Sequence, residues 1–472
     1  MIRGGTATML NPILPEIVIS AAAIFFLVGS FYDMRNLHRQ AAGFGLASVV
    51  AALISLGAES RFFHGAFVVD GFSRFFALLI CLAFVLACLI GGGLRQTDQS
   101  RTGEFYFFIA ISTLGLLVVT GATELITLFI GLEISSYPLF IVVSFRRGLG
   151  YQFESVAKYM VFGAVSTAFM LYGITYVYGA FGSTFLADII PAIATRLNDP
   201  MAELGVILFM AGLLYKLSAF PFHFWAPDVY AGAAAEVVAY IAALPKLAAV
   251  ALLVRVVSLF LDIEGIIPVL ALLAVLSMTM GNILALTQTE LKRMLAYSAV
   301  SHAGYILLGL LAPAQGGLSA SLFYGTVYTF MTLAAFLVAI QVAGKGHDIP
   351  LANLAGLWRR SPVLAVMLAI TFVSLAGLPP TAGFTGKLFL LTALWQAGHF
   401  WVVLAAVLNT LLGMFYYLRV IRISLVSDTN RPALPVPLHL RSLAVALAVL
   451  LLFLGLMPGA ILQLAESAVA SL

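Results

Sequence analysis

The feature that most constrains this chain is a succession of apolar runs, most of them near the roughly 20 residues a helix needs to cross a bilayer core. Fourteen can be read between charge clusters: 13–32, 41–58, 72–94, 104–121, 124–145, 156–180, 203–223, 235–260, 266–288, 293–312, 317–343, 362–397, 400–420 and 441–464. The longest polar stretches, around 344–361 and 425–440, leave no room for a water-soluble domain. The expected fold is an all-α polytopic membrane protein with about 14 transmembrane helices. Composition agrees: 62% of the 472 residues are hydrophobic and 9% charged, against about 25% charged in soluble domains. That balance excludes a soluble enzyme, a nucleic-acid binder and a disordered chain.

Lysine and arginine divide unequally between alternate loops, which sets orientation. With the loop after the first run in the cytoplasm, that side holds 16 and the opposite side 5. Both termini are then expected on the periplasmic side. No basic n-region or small-residue cleavage site marks a signal peptide, so the first run is expected in the mature chain. Cys81 and Cys88 lie seven apart in one apolar run and lack metal-ligand spacing, so no metal site is expected.

An ionised group deep in a membrane is costly and normally serves a function. Here the set is Glu133, Lys216, Lys246 and Lys387, with Lys158 nearer a helix start and four residues after Glu154. That spacing suits an i,i+4 ion pair. Lysine suits proton handling because burial disfavours its charge and a nearby carboxylate restores it. Glu133 is the natural partner for one lysine, and Lys216 is the expected one.

Proline accompanies each of the three deep lysines. Pro221 follows Lys216 by five residues, Pro245 immediately precedes Lys246, and Pro379 and Pro380 come shortly before Lys387. Proline frees a helical carbonyl four residues back, and protein or water must satisfy it inside a membrane. Breaks are expected in the seventh, eighth and twelfth runs, the pattern of an inverted-repeat transporter with midplane sites. His302, Lys158 and His223 are candidate relays, the histidines also readable as hydrogen-bonded structural residues and Lys158 as half of a static ion pair. Nothing in the sequence has the spacing of a haem or nucleotide site, so redox chemistry is expected on other chains.

At these residues the sequence resembles the antiporter-like, proton-translocating membrane subunits of respiratory complex I, most closely the N type. The matching segments include 69-VDGFSRFFALL-79, 131-GLEISSYPLF-140, 154-ESVAKYMVFGAVSTAFMLYG-173, 215-YKLSAFPFHFWAPDVYAGA-233, 288-QTELKRMLAYSAVSHAGY-305 and 377-GLPPTAGFTGK-387. The resemblance implies that Glu133 pairs with Lys216, that Lys246 is the central lysine, and that Lys387 gates the outlet. It implies three N-terminal helices in 1–103, inverted five-helix repeats in 104–260 and 261–424, and a last helix in 425–472. It further implies a non-redox subunit of an H+-translocating NADH–quinone oxidoreductase in a bacterial inner membrane. The partners would be the M, K, J and A types of membrane-arm subunit. FMN, iron–sulfur clusters and quinone would lie on partner subunits, with no cofactor on this chain.

One segment departs from the pattern. Where such chains usually carry threonine or serine with prolines, this one has Ala234-Ala235-Glu236-Val237. Glu236 precedes Lys246 by ten residues, about 15 Å along a regular helix. It is expected to be an ordinary helix N-terminal charge. The alternatives are a subunit of an Mrp-type cation/proton antiporter, of a related membrane-bound hydrogenase or of a ferredoxin-driven complex. A purely structural spacer fits poorly, because it would gain stability by replacing three buried lysines.

Overall fold

The computed structural model describes residues 11–32, 36–147, 151–193, 199–261, 263, 265–343, 348–427 and 431–472. Of the positive charges used to set orientation, Arg3, Arg35, Arg196 and Lys345 lie outside these residues. Nineteen α-helices form among them. The first three are α1 (Leu14–Phe31), α2 (Leu37–Ile54) and α3 (Gly71–Ile90), with a short antiparallel hairpin, Ser60–Phe62 against Phe67–Val69, before α3. Next come α4 (Thr102–Gly121), α5 (Leu125–Val142), α6 (Tyr151–Phe181), the short α7 (Leu186–Ile193), α8 (Pro200–Leu217), α9 (Trp225–Gly232) and α10 (Ala235–Arg255). They are followed by α11 (Ile266–Leu286), α12 (Leu291–Gly309), α13 (Gly317–Val342), the one-turn α14 (Leu357–Arg360), α15 (Pro362–Ala376), α16 (Ala382–Gln396) and α17 (Phe400–Val426). The chain closes with α18 (Leu438–Leu456) and α19 (Gly459–Ala470).

Among the described residues, twelve helices are long and apolar enough to cross a membrane, where the sequence suggests fourteen runs. The run 362–397 divides into α15 and α16, and α12, with Lys292, Arg293, Ser298, Ser301 and His302, is not among the twelve. Local chemistry fixes several helix starts. Asp70 and Ser73 form a reciprocal capping box on α3, and Glu124, Asp199 and Glu290 cap α5, α8 and α12.

Lipid offers no hydrophobic drive for one helix to seek another, so contact depends on close packing at small residues. A Cβ placed on Gly115 of α4 would lie 2.5 Å from the Ser135 nitrogen of α5. One on Gly281 of α11 would lie 2.5 Å from the Ser301 nitrogen of α12. Both pairs pack backbone to backbone. At the centre, α13 is buried along its whole length and α10 along nearly all of it, and the two pack against each other.

The prolines act differently from one another. Pro221 lies in the non-helical link between α8 and α9, and Pro379 and Pro380 lie in the link between α15 and α16. Pro245 does not break its helix: α10 runs unbroken from Ala235 to Arg255 with Pro245 inside it. The expected interruption of the eighth run is therefore corrected. Burial on every side holds α10 in helical geometry, and Pro245 with Ile241, the residue four back, lines the Lys216 pocket.

Candidate functional site

Each half of the site is built where a helix stops. Ser218 takes a left-handed conformation, φ 62°, and ends α8 just after Lys216. The Lys216 ammonium thus sits in the last turn, where a helix end favours a cation. Lys216 Nζ donates to Ser136 Oγ at 2.5 Å and lies 3.8 Å from Glu133 Oε1. Glu133 in turn accepts from Thr167 Oγ1 at 3.0 Å. Ser136 and Lys216 thus line one pocket, with Glu133 beside the ammonium.

Lys246 lies midway along α10, 1% exposed, and its Nζ has no hydrogen-bond partner. It stands 5.9 Å from the ring centroids of both Tyr230 and Tyr328. Aromatic faces attract a cation, so these rings receive the ammonium where no carboxylate does. The Tyr328 ring is 5.1 Å from that of His302. His302 is bonded through Nδ1 to the Tyr324 hydroxyl at 2.7 Å and through Nε2 to the Tyr417 hydroxyl at 3.0 Å. Both nitrogens of this buried ring therefore meet groups that can give or take a proton.

Beyond His302, the Tyr324 ring meets that of Tyr305 at 6.0 Å, and Lys387 Nζ lies 4.4 Å from the Tyr305 centroid. Lys387 donates to the carbonyls of Ala376 (3.2 Å) and Leu375 (3.5 Å) at the end of α15. Gly377 ends that helix with φ 81°, and a Cβ there would lie 2.8 Å from Lys387 Cδ. Only glycine meets both demands. Five residues singled out from sequence thus follow one another: Glu133 with Lys216, then Lys246, whose neighbour Pro245 lines the Lys216 pocket, then His302, then Lys387.

The remaining candidates sit apart from that row. Lys158 bridges Glu154 (2.7 Å) and Asp228 (2.6 Å), and Arg293 reaches Asp228 at 3.1 Å. They line a cleft of about 340 Å³ together with His223. The His223 ring stacks between Phe220 and Phe224. On the same side, Lys292 is fully buried and donates to the Ala231 and Ala233 carbonyls, each at 2.8 Å. Arg146 pairs with Asp348 at 2.8 Å. Sequence reasoning missed Ser136, Thr167, Asp228 and the tyrosines 230, 305, 324, 328 and 417. One signal was available: Tyr324 and Tyr328 are four apart and so share a helix face.

Residues 122–413 match the family described as NADH:quinone oxidoreductase/Mrp antiporter, TM. The relative named NADH-quinone oxidoreductase subunit N 2 from Solidesulfovibrio magneticus is 41% identical over 464 residues, covering 98% of each chain. The chain belongs to the NADH-quinone oxidoreductase subunit N family. Among solved structures similar to this family member is a chain of respiratory complex I from Thermus thermophilus. Its TM-score is 0.83 at 32% identity, covering 95% of this chain and 98% of that one. A chain of the Mrp complex from Dietzia sp. DQ12-45-1b reaches a TM-score of 0.86 at 20% identity, covering 99% and 97%, a likeness of fold alone.

Proposed function

We propose that this chain is the proton-translocating N-type subunit of an NADH–quinone oxidoreductase, and that protons cross it along the buried row of lysines. The observation that carries the reading is Lys246, a cation without a hydrogen-bond partner, placed between the Lys216–Glu133 pocket and the His302–Tyr324 cluster. A proton enters from the cytoplasm to Lys216 beside Glu133 and moves to Lys246. It continues past Tyr328 and His302 to Lys387 and leaves on the periplasmic face. A carboxylate near an ammonium favours the protonated form, and its withdrawal releases the proton. Long-range charge shifts set off by redox chemistry on other subunits would open and close the Glu133–Lys216 pair in this way.

Residues 104–260 and 261–424 are read as inverted repeats, each forming one half-channel. The matching crossings, Gly115 on Ser135 and Gly281 on Ser301, support that division. So do the helix interruptions beside Lys216 and Lys387. FMN, iron–sulfur clusters and quinone are assigned to partner subunits, and the membrane neighbours to the M, K, J and A types. The cytoplasmic end is taken as the one holding Arg95, Arg146, Arg147, Lys292 and Arg293, in keeping with the excess of positive charge there. Both termini then face the periplasm of a bacterial inner membrane.

The test is to tag the chain, extract it gently and identify what accompanies it. Co-purification with flavin and iron–sulfur absorbance and NADH-driven quinone reduction is the expected result. A colourless assembly of hydrophobic chains that exchanges cations for protons in vesicles would overturn the reading in favour of an Mrp-type antiporter.

A further inference from the structure

Glu236 does not behave as the ordinary helix-start charge that its position suggests. It lies in the first turn of α10 and is 3% exposed. Its Oε1 accepts from the Gln96 backbone N–H at 3.0 Å, and Gln96 Oε1 accepts from the Ala235 backbone N–H at 2.8 Å. This exchange ties the loop after α3 to the start of α10. A carboxylate serving only the helix dipole would leave its second oxygen in water. Here Oε2 is buried and has no hydrogen-bond partner. Such an atom is costly to keep inside a protein unless it has a use.

The neighbouring groups leave that oxygen unoccupied. Lys292 and Arg95 are the cations within electrostatic reach of Glu236. Lys292 is already bound to the carbonyls of Ala231 and Ala233, and Arg95 to that of Gln341 at 2.9 Å. One turn further into the membrane, about 6 Å along the helix axis, Tyr240 shares a hydrogen bond with Thr113 Oγ1 at 2.8 Å. Ser112, next to Thr113, donates to the Ser135 carbonyl at 2.7 Å. The following residue, Ser136, is the hydroxyl that holds Lys216. The Tyr240, Thr113 and Ser112 hydroxyls thus lie between the helix turn that holds the buried carboxyl and the segment that holds Lys216.

We propose that Glu236 is a proton-loading site at the cytoplasmic end of α10. Its Oε2 takes up a proton from the aqueous side and releases it toward the pocket of Lys216, past the hydroxyls of Tyr240, Thr113 and Ser112. One proton taken up at the carboxylate is one proton delivered to the lysine, and the carboxylate is restored. The inference rests on the reading of this chain as proton-translocating, and it adds an entry residue in the segment where this chain departs from those it resembles.

The test compares Glu236→Gln with Lys246→Ala in the whole complex in membrane vesicles, reading NADH-driven proton transport and quinone reduction. Glu236→Gln keeps an oxygen for the Gln96 N–H but removes the exchangeable proton. Its transport rate is expected to fall about a hundredfold, the lower end for loss of a positioned proton-transfer group, with partial recovery in Glu236→Asp. Should Glu236→Gln fail to assemble, Glu236→Pro, which the first turn of a helix tolerates, is read in the same way. Transport at the full rate in the assembled Gln or Pro variant, with Lys246→Ala inactive, overturns the role of Glu236 alone. Full transport by Lys246→Ala overturns the underlying reading of the function.

Discussion

Lys216 and Glu133 face each other across 3.8 Å without sharing a hydrogen bond. The ammonium is held by Ser136 and the carboxylate by Thr167. A pair held apart by competing partners can close or open with small side-chain movements, whereas a direct bidentate contact would have to be broken first.

Ser136→Ala removes the competing partner of the ammonium. Lys216 is expected to close onto Glu133, and a tighter buried pair releases its proton less readily. NADH-driven proton transport in vesicles is expected to slow several-fold, while the assembled complex keeps its flavin and iron–sulfur content. An unchanged rate would show that Ser136 does not tune the pair.

Lys246 carries a cost that function must justify. A cation buried without a counter-ion opposes folding, and apolar residues of similar volume often stabilise such positions. Lys246→Met is therefore expected to keep or raise the melting temperature of the purified complex while it abolishes transport. A clear drop in melting temperature would mean that Tyr230 and Tyr328 hold the ammonium more strongly than its burial penalises it.

The Arg74–Glu16 pair is expected to behave in the opposite way. It joins α3 to α1 at 2.9 Å, and Arg74 also donates to the Pro12 carbonyl and to Ser55 Oγ. Glu16→Ala leaves that guanidinium without its counter-charge, which typically costs about 3–5 kcal/mol. Thermal denaturation of the complex should show the loss, and transport per assembled complex should not change.

The first turn of α16, just before Lys387, tolerates no added volume at Gly383. A Cβ on Gly383 would collide with the Ser374 carbonyl, whereas one on Gly459 meets nothing within 4 Å. Gly383→Ala is expected to displace α16, and Lys387 with it, and to reduce both assembly and transport. Gly459→Ala is expected to leave both intact. Equal behaviour of the two variants in a pull-down of the tagged chain would contradict the packing described between α15 and α16.

Much of this was legible in the sequence, because membrane insertion writes its rules in one dimension. The apolar runs set the helices, and each lysine inside a run marked itself by its cost. Proline position was a less certain guide. Pro221, Pro379 and Pro380 fall in links, yet Pro245 sits in a continuous helix because packing around α10 outweighs one lost hydrogen bond. The tyrosines around His302 escaped notice because an aromatic residue on an apolar helix reads as core. Its hydroxyl becomes informative only when α12, α13 and α17 bring Tyr324 and Tyr417 to the same imidazole. Glu236 was misjudged for a related reason: its helix position is plain in the sequence, but the cover supplied by Gln96 from a distant loop is not.

The most direct measurement is NADH-driven proton transport by complexes carrying Lys246→Ala, in vesicles whose quinone reduction and subunit content are checked in parallel. Loss of transport in a fully assembled complex is the expected result, because the proposed route passes from the Lys216 pocket to His302 by way of Lys246 and Tyr328. Transport at the full rate would contradict the lysine row as the route.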